Sequence, residues 1–189
     1  VALGANLDDP VATMVAAVRA LGRLGEVVRV SSLWRTDPVG GPPGQPVYRN
    51  AVVIWHPAPP WASPTAALGA LLAIERALGR VRRDRWGPRR IDLDLLAWSA
   101  PPNAAAPPER RLAPGRHPDL PHPRAFERPF VLVPWAEVEP AWRDPRSGAT
   151  VAAMLAARGR SGVRRVPVEE AGRWSAACGG SSGAATGPG

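Results

Sequence analysis

Between Arg80 and Leu96 the chain sets six arginines, Arg80, Arg82, Arg83, Arg85, Arg89 and Arg90, directly ahead of Asp92 and Asp94. The aspartates are spaced i, i+2 in Ile91-Asp-Leu-Asp-Leu-Leu96, where polar and apolar residues at first alternate with period two. Alternate side chains of a strand share a face, so both carboxylates are expected to project together while Leu93 and Leu95 pack behind. Same-side carboxylates roughly 7 Å apart can both reach a pair of divalent cations about 3.5–4 Å apart. Magnesium is the expected ion, because one or two carboxylates plus substrate phosphates commonly hold it. Guanidinium forks grip phosphate bidentately and never lose their charge, so polyphosphate chemistry is the first expectation. The plainer alternative is a basic loop leading into a half-buried strand, with the aspartates paired to neighbouring arginines at a solvated turn. Trp86-Gly-Pro88 weighs against that alternative, since a constrained glycine and proline hold a large aromatic where an idle loop needs none.

Composition narrows the choices further. A chain of 189 residues suggests one domain with one core. The single cysteine, Cys178, allows no disulfide within the chain and no metal site built on several cysteines. His56, His117 and His122 lack zinc-motif spacing. All 24 basic residues are arginine, which removes a Walker A lysine and a Schiff-base lysine and leaves charge stabilisation to arginine and metal. The net charge of +8 and eight tryptophans would suit a basic nucleic-acid-binding domain without catalytic activity, which is the runner-up reading. The tryptophans are scattered and do not interleave with a basic stripe, so most are expected in the core or at its rim. No apolar run approaches the ~18 residues of a membrane span and no signal-peptide pattern opens the chain, so a cytoplasmic monomer without membrane or nucleic-acid partners is expected.

The elements that must position these groups follow in order. Val1 to Gly4 reads as the end of a strand that starts without methionine, clipped and too short for a sheet interior. Asp8 or Asp9 caps a helix with Pro10 at its first position, running to about Leu21. Residues 26–35 are strand-like, and 36–46, with four prolines and three glycines, form a loop that walls a pocket or merely connects. A strand at 48–55 places Tyr48 and Asn50 on one side. A second helix spans about Thr65 to Leu78, with Glu75 beside its apolar stripe; Glu75 is either a surface acid or a group that contacts a ligand or orients an arginine. A strand follows at about 90–98. Residues 99–119 are a flexible excursion, 120–135 end in a buried apolar segment, 150–157 form a helix and 163–168 a closing strand. His122, Arg124 and Arg128 place phosphate-compatible groups near Phe130. One domain is thus expected over 1–168, with a disordered tail over 169–189.

With these segments laid out, the chain resembles the hydroxymethyl-dihydropterin pyrophosphokinases. The likeness runs through Leu3-Gly4 and Asn6-Leu7, Thr36-x-Pro-x-Gly40, Tyr48-x-Asn-Ala51, Ile74-Glu75 with Gly79-Arg80, Arg85-Trp-Gly-Pro-Arg89, Ile91-Asp-Leu-Asp94, and Pro121-His-Pro-Arg124 with Arg128 and Phe130. It implies an α+β, ferredoxin-like single domain, mainly antiparallel, that transfers pyrophosphate from ATP to a pterin hydroxymethyl group in folate biosynthesis and releases AMP. It implies that Asp92 and Asp94 hold two Mg2+ and that Arg80 and Arg89 meet the charge developing on the transferred group. Tyr48 and Phe130 would sandwich the pterin, Asn50 would bond its edge, and Thr36, Pro38 and Val39 would complete that pocket. Glu75, Arg82, Trp86, His122 and Arg128 would lie by ATP. The partners implied are ATP and hydroxymethyl-dihydropterin alone.

Overall fold

A computed structural model describes residues 1–38, 40–80, 87–99 and 118–178. The first 94 residues form β1 (Ala2–Ala5), α1 (Pro10–Leu24), β2 (Gly25–Val30), β3 (Trp34–Thr36), β4 (Tyr48–Pro57), α2 (Pro64–Ala77) and β5 (Asp92–Asp94). After them come a 3-10 turn at Ala125–Glu127, α3 (Pro129–Val138), α4 (Val151–Arg158), β6 (Val163–Arg165) and α5 (Gly172–Cys178). The sheet runs β5-β1-β4-β3-β6, with β2 also on β4, and every pairing is antiparallel. With β2 and β3 taken as one interrupted strand, the order is that of the expected ferredoxin-like α+β domain.

Alternation along the strands sorts the two faces. Leu3, Ala5, Ala51, Val53, Trp55 and Leu93 point into a core shared with α1 and α2. Val52, with Ala2, Trp34 and Ile54, points the other way, onto α3 and α4. The helix starts match the sequence: Asp9 caps α1 by accepting the Ala12 N–H at 3.0 Å, and Ser63 caps α2 through Ala66. Among the described residues no helix is long and apolar enough to cross a membrane.

Several expectations are corrected. The four-residue β1 stands in the sheet interior, because it is paired along its length with β4 and along three residues with β5. The expected strand 26–35 is broken after β2; at the break the Ser31 hydroxyl accepts the Val52 N–H at 3.0 Å and replaces a ladder bond. The expected strand 90–98 shrinks to three residues, although Ile91, Leu95 and Leu96 around it are buried. The closing strand 163–168 likewise shortens to β6.

The tail is not disordered as far as Cys178. Trp174 is 2 % exposed and its indole donates to the Ser31 carbonyl at 2.9 Å, while Arg173 pairs with Asp9 at 2.7 Å and Glu170 with Arg49. One large aromatic buried against α1, helped by the Arg173–Asp9 pair, docks a short helix whose remaining residues are small. Residues 100–117 of the expected excursion and 179–189 of the tail lie outside the described residues.

Candidate active site

Asp92 and Asp94 occur where period two puts them. Leu93 between them is buried in the α1/α2 core, and both carboxylates emerge on the opposite face into a cleft of about 360 Å³. Gly4 faces them from β1, and Tyr48 and Asn50 from β4. At the floor, a Cβ on Gly4 would make ordinary contacts, 3.5 Å from Asn50 Oδ1 and 4.0 Å from the Asp92 side chain, so only a side chain larger than alanine would intrude on the cleft. Thr36 and Pro38 form one wall, and Arg128 and Phe130 at the start of α3 form the other. The Arg128 guanidinium stands 5.7 Å from the centre of the Phe130 ring.

The arginines are placed by backbone devices as well as by charge. Helix α2 ends in a Schellman motif: the Gly79 N–H donates to Arg76 at 3.0 Å, the Arg80 N–H donates to the Glu75 carbonyl at 2.9 Å, and Gly79 takes φ +81°. The turn returns Arg80 onto the Glu75 side chain, with which it pairs, and its guanidinium also reaches Asp92 at 2.6 Å. Glu75 is 2 % exposed and its carboxylate accepts the Leu93 N–H at 2.7 Å. Through these contacts Glu75 ties Arg80 and the Asp92–Asp94 strand together from behind. Arg89 pairs with the second oxygen of Asp92.

The two aspartates differ in surroundings. Asp92 is clasped by Arg80 and Arg89, whereas the ion pair of Asp94 among the described residues is a looser one with Arg128 at 3.7 Å. The side chains stay 22 % and 35 % exposed, so both remain open to the cleft. Burial, and then the like charge of Asp92, raises the Asp94 carboxyl above its ordinary range, against the opposing pull of His122, Arg128 and Arg89. Burial and the Arg124 charge lower the pKa of Arg128. Two crowded carboxylates beside a cluster of guanidiniums make a donor set suited to a hard cation carrying phosphate oxygens. Among the described residues no group of three His, Cys, Asp or Glu side chains forms a cage, so waters or substrate oxygens would share any coordination at this pair.

On the side of the cleft walled by Thr36 the Asn50 amide donates to Thr36 Oγ1 at 2.9 Å, which fixes its orientation. Burial raises the Tyr48 phenol, which donates to the Gly87 carbonyl at 3.3 Å. His122 accepts the Arg124 N–H at 3.2 Å through Nδ1. Val39, Arg82 and Trp86 lie outside the described residues. Sequence reasoning read Arg124 only as a phosphate-compatible group near Phe130, and assigned no role to Glu127 in the cleft wall or to Asn6 beneath it. Arg124 was visible in Pro121-His-Pro-Arg124, but Glu127 carries no signal apart from the turn that places it.

Residues 1–140 match the pattern of the family described as 7,8-dihydro-6-hydroxymethylpterin-pyrophosphokinase. The chain belongs to that family. Similar proteins include the 2-amino-4-hydroxy-6-hydroxymethyldihydropteridine pyrophosphokinase of a Synechocystis strain, 39 % identical over 157 residues, which cover 82 % of this chain and 73 % of the relative. The proteins of the same name from Pseudomonas aeruginosa and Methylorubrum extorquens are each 39 % identical over 169 and 166 residues, covering 88 % and 87 % of this chain and 95 % of either relative. As a pyrophosphokinase of this family the chain is an ATP-dependent diphosphotransferase of folate biosynthesis. The nucleic-acid reading is not favoured, and none of the described tryptophans is exposed as a stacking platform.

Proposed function

We propose that this cleft transfers the β,γ-pyrophosphoryl group of ATP to the hydroxymethyl oxygen of 6-hydroxymethyl-7,8-dihydropterin, with Asp92 and Asp94 holding two Mg2+ on the triphosphate. The observation that carries this reading is the projection of both carboxylates into one cleft that is lined by Tyr48, Asn50 and Phe130 together with Arg89, Arg124 and Arg128. When bound, the cations would neutralise phosphate oxygens and make the β-phosphorus more electrophilic.

In the reaction the hydroxymethyl oxygen bonds to the β-phosphorus in line, and the bond from that phosphorus to the α,β-bridging oxygen breaks. AMP departs with the bond's electrons, and the hydroxyl proton passes to solvent. Arg80 and Arg89 are the groups we assign to the charge that grows on the transferred phosphoryl oxygens and on AMP. Both now rest against Asp92, so cation binding at Asp92 would release them toward phosphate. Glu75 would keep Arg80 within reach during that exchange.

Tyr48 and Phe130 are assigned to the two faces of the pterin ring, with Asn50 on its polar edge and Thr36, Pro38 and Val39 closing the pocket. The fixed Asn50 amide supports this assignment, because its amino group is already engaged by Thr36 and its oxygen can accept from the ring. His122 and Arg128 are assigned to the triphosphate, while Arg82 and Trp86 are assigned to the nucleotide by family likeness alone. ATP and the pterin are proposed as the only partners of a cytoplasmic monomer. The test is to incubate the protein with ATP, Mg2+ and the reduced pterin. AMP should form in step with pterin diphosphate and only when all three are present; accumulation of ADP would refute the reaction class.

A further inference from the structure

Asn6 follows directly on β1 beneath the cleft and is 3 % exposed. Its hydrogen bonds lead to segments that border the site. The side-chain oxygen accepts the Arg89 N–H at 2.7 Å, and the Asn6 backbone N–H donates to the Arg89 carbonyl at 3.0 Å. The amide thus stands in for the backbone carbonyl that one more ladder rung would supply. On its other side Nδ2 donates to the Pro46 carbonyl at 3.0 Å, at the end of the loop that begins with Thr36. Tyr48, two residues beyond Pro46, ties its hydroxyl to the Gly87 carbonyl at 3.3 Å. A carboxamide offers an acceptor and a donor on one flat group; aspartate would keep the acceptor and lose the donor, and alanine would lose both.

We propose that Asn6 is a positioning residue that locks Arg89 to one side and the Thr36–Pro46 loop to the other, so that the phosphate-facing arginine and the pterin wall are set from a single buried amide. This rests on the reading in which Arg89 acts on the transferred group and the loop walls the pterin pocket. The two halves of the amide separate the two effects. Losing the Arg89 anchor lowers kcat, because misplacement by about 1 Å of a group acting on the transition state costs up to ~100-fold. Losing the Pro46 anchor weakens the pterin wall and raises the KM for pterin, by about tenfold for one unmade hydrogen bond.

The experiment compares the wild-type chain with Asn6→Ala and Asn6→Asp by amide hydrogen exchange resolved at Arg89 and by steady-state kinetics. Asn6→Ala should lose protection at the Arg89 amide, lower kcat by roughly 10- to 100-fold and raise the pterin KM. Asn6→Asp should keep Arg89 protection and a kcat within about threefold of wild type, while its pterin KM rises about tenfold. Equal exchange at Arg89 in wild type and Asn6→Ala would overturn the proposal, as would two variants that lose kcat and KM alike. Should the alanine variant fail to fold, the near-isosteric aspartate variant decides by the same split. A wild-type protein that makes no AMP would strike the proposed reaction instead, and Arg89 exchange would still decide whether Asn6 anchors that residue.

Discussion

Replacing Glu75 with alanine is expected to cost about 2–3 kcal/mol of stability, most of it from one orphaned backbone group. The carboxylate accepts the buried Leu93 N–H at 2.7 Å and pairs with Arg80, and the residue is 2 % exposed, so water cannot easily replace it. A buried donor left unpaired costs about 1–3 kcal/mol, and the missing side-chain volume adds to that. Arg80 keeps its second partner, Asp92, which limits the electrostatic part. Thermal unfolding should register a loss of roughly 4–12 °C. Glu75→Gln behaves differently, because burial pushes the Glu75 carboxyl above its ordinary value of 4.5, against the pull of the Leu93 N–H and Arg80. An acid whose folded pKa is raised penalises the folded state above that pKa, and the penalty fades as pH falls toward the unfolded value. Glutamine mimics the protonated form and keeps the acceptor for Leu93. It should therefore lie within about 1 kcal/mol of wild type at pH 7, and wild type should improve relative to it as the pH drops toward 4.5. Its kcat should nonetheless fall, since Arg80 loses its charged anchor. An alanine variant less than ~1 kcal/mol destabilised, or a glutamine variant as unstable as alanine, would refute the reasoning.

Other outcomes follow from the same geometry. The Asp94 carboxyl is raised by burial and by Asp92, so Mg2+ affinity, followed by titration, should begin to weaken at a higher pH than for an ordinary carboxylate as the solution is acidified; Asp92→Asn should move that onset lower. Trp174→Ala should destabilise the fold by about 3–5 kcal/mol in denaturant unfolding, because a side chain 2 % exposed and bonded to Ser31 is removed from beneath α1. Gly4→Val should cut turnover while leaving the fold intact by circular dichroism, since branched carbons would extend from a Cβ already 3.5 Å from Asn50 Oδ1.

Much of the site could be read from the chain because strand alternation is a strong local rule. Leu93 buried between two open aspartates, and Tyr48 with Asn50 on one side of β4, are direct consequences of it. The cap at Asp9 with Pro10 was equally local. Long-range or unpatterned features were less visible. Helix α3 is apolar almost all round and carries Pro134, so residues 129–138 have no amphipathic period to mark them as a helix. Helix α5 hid in a small-residue tail because its docking depends on one tryptophan meeting a carbonyl 143 positions away. The link from Glu75 to Arg80 and Leu93 depends on a helix-ending turn and on a sheet position, neither of which spacing alone reveals.

Titration with Mn2+ in the presence of a non-hydrolysable ATP analogue, comparing wild type with Asp92→Asn and Asp94→Asn, bears most directly on the claim that this carboxylate pair holds the cations that hold the triphosphate. Wild type should bind the ion only with the nucleotide at high affinity, and each variant should lose at least ~tenfold, the effect of one missing charged ligand. Equal Mn2+ binding in all three proteins would contradict the account.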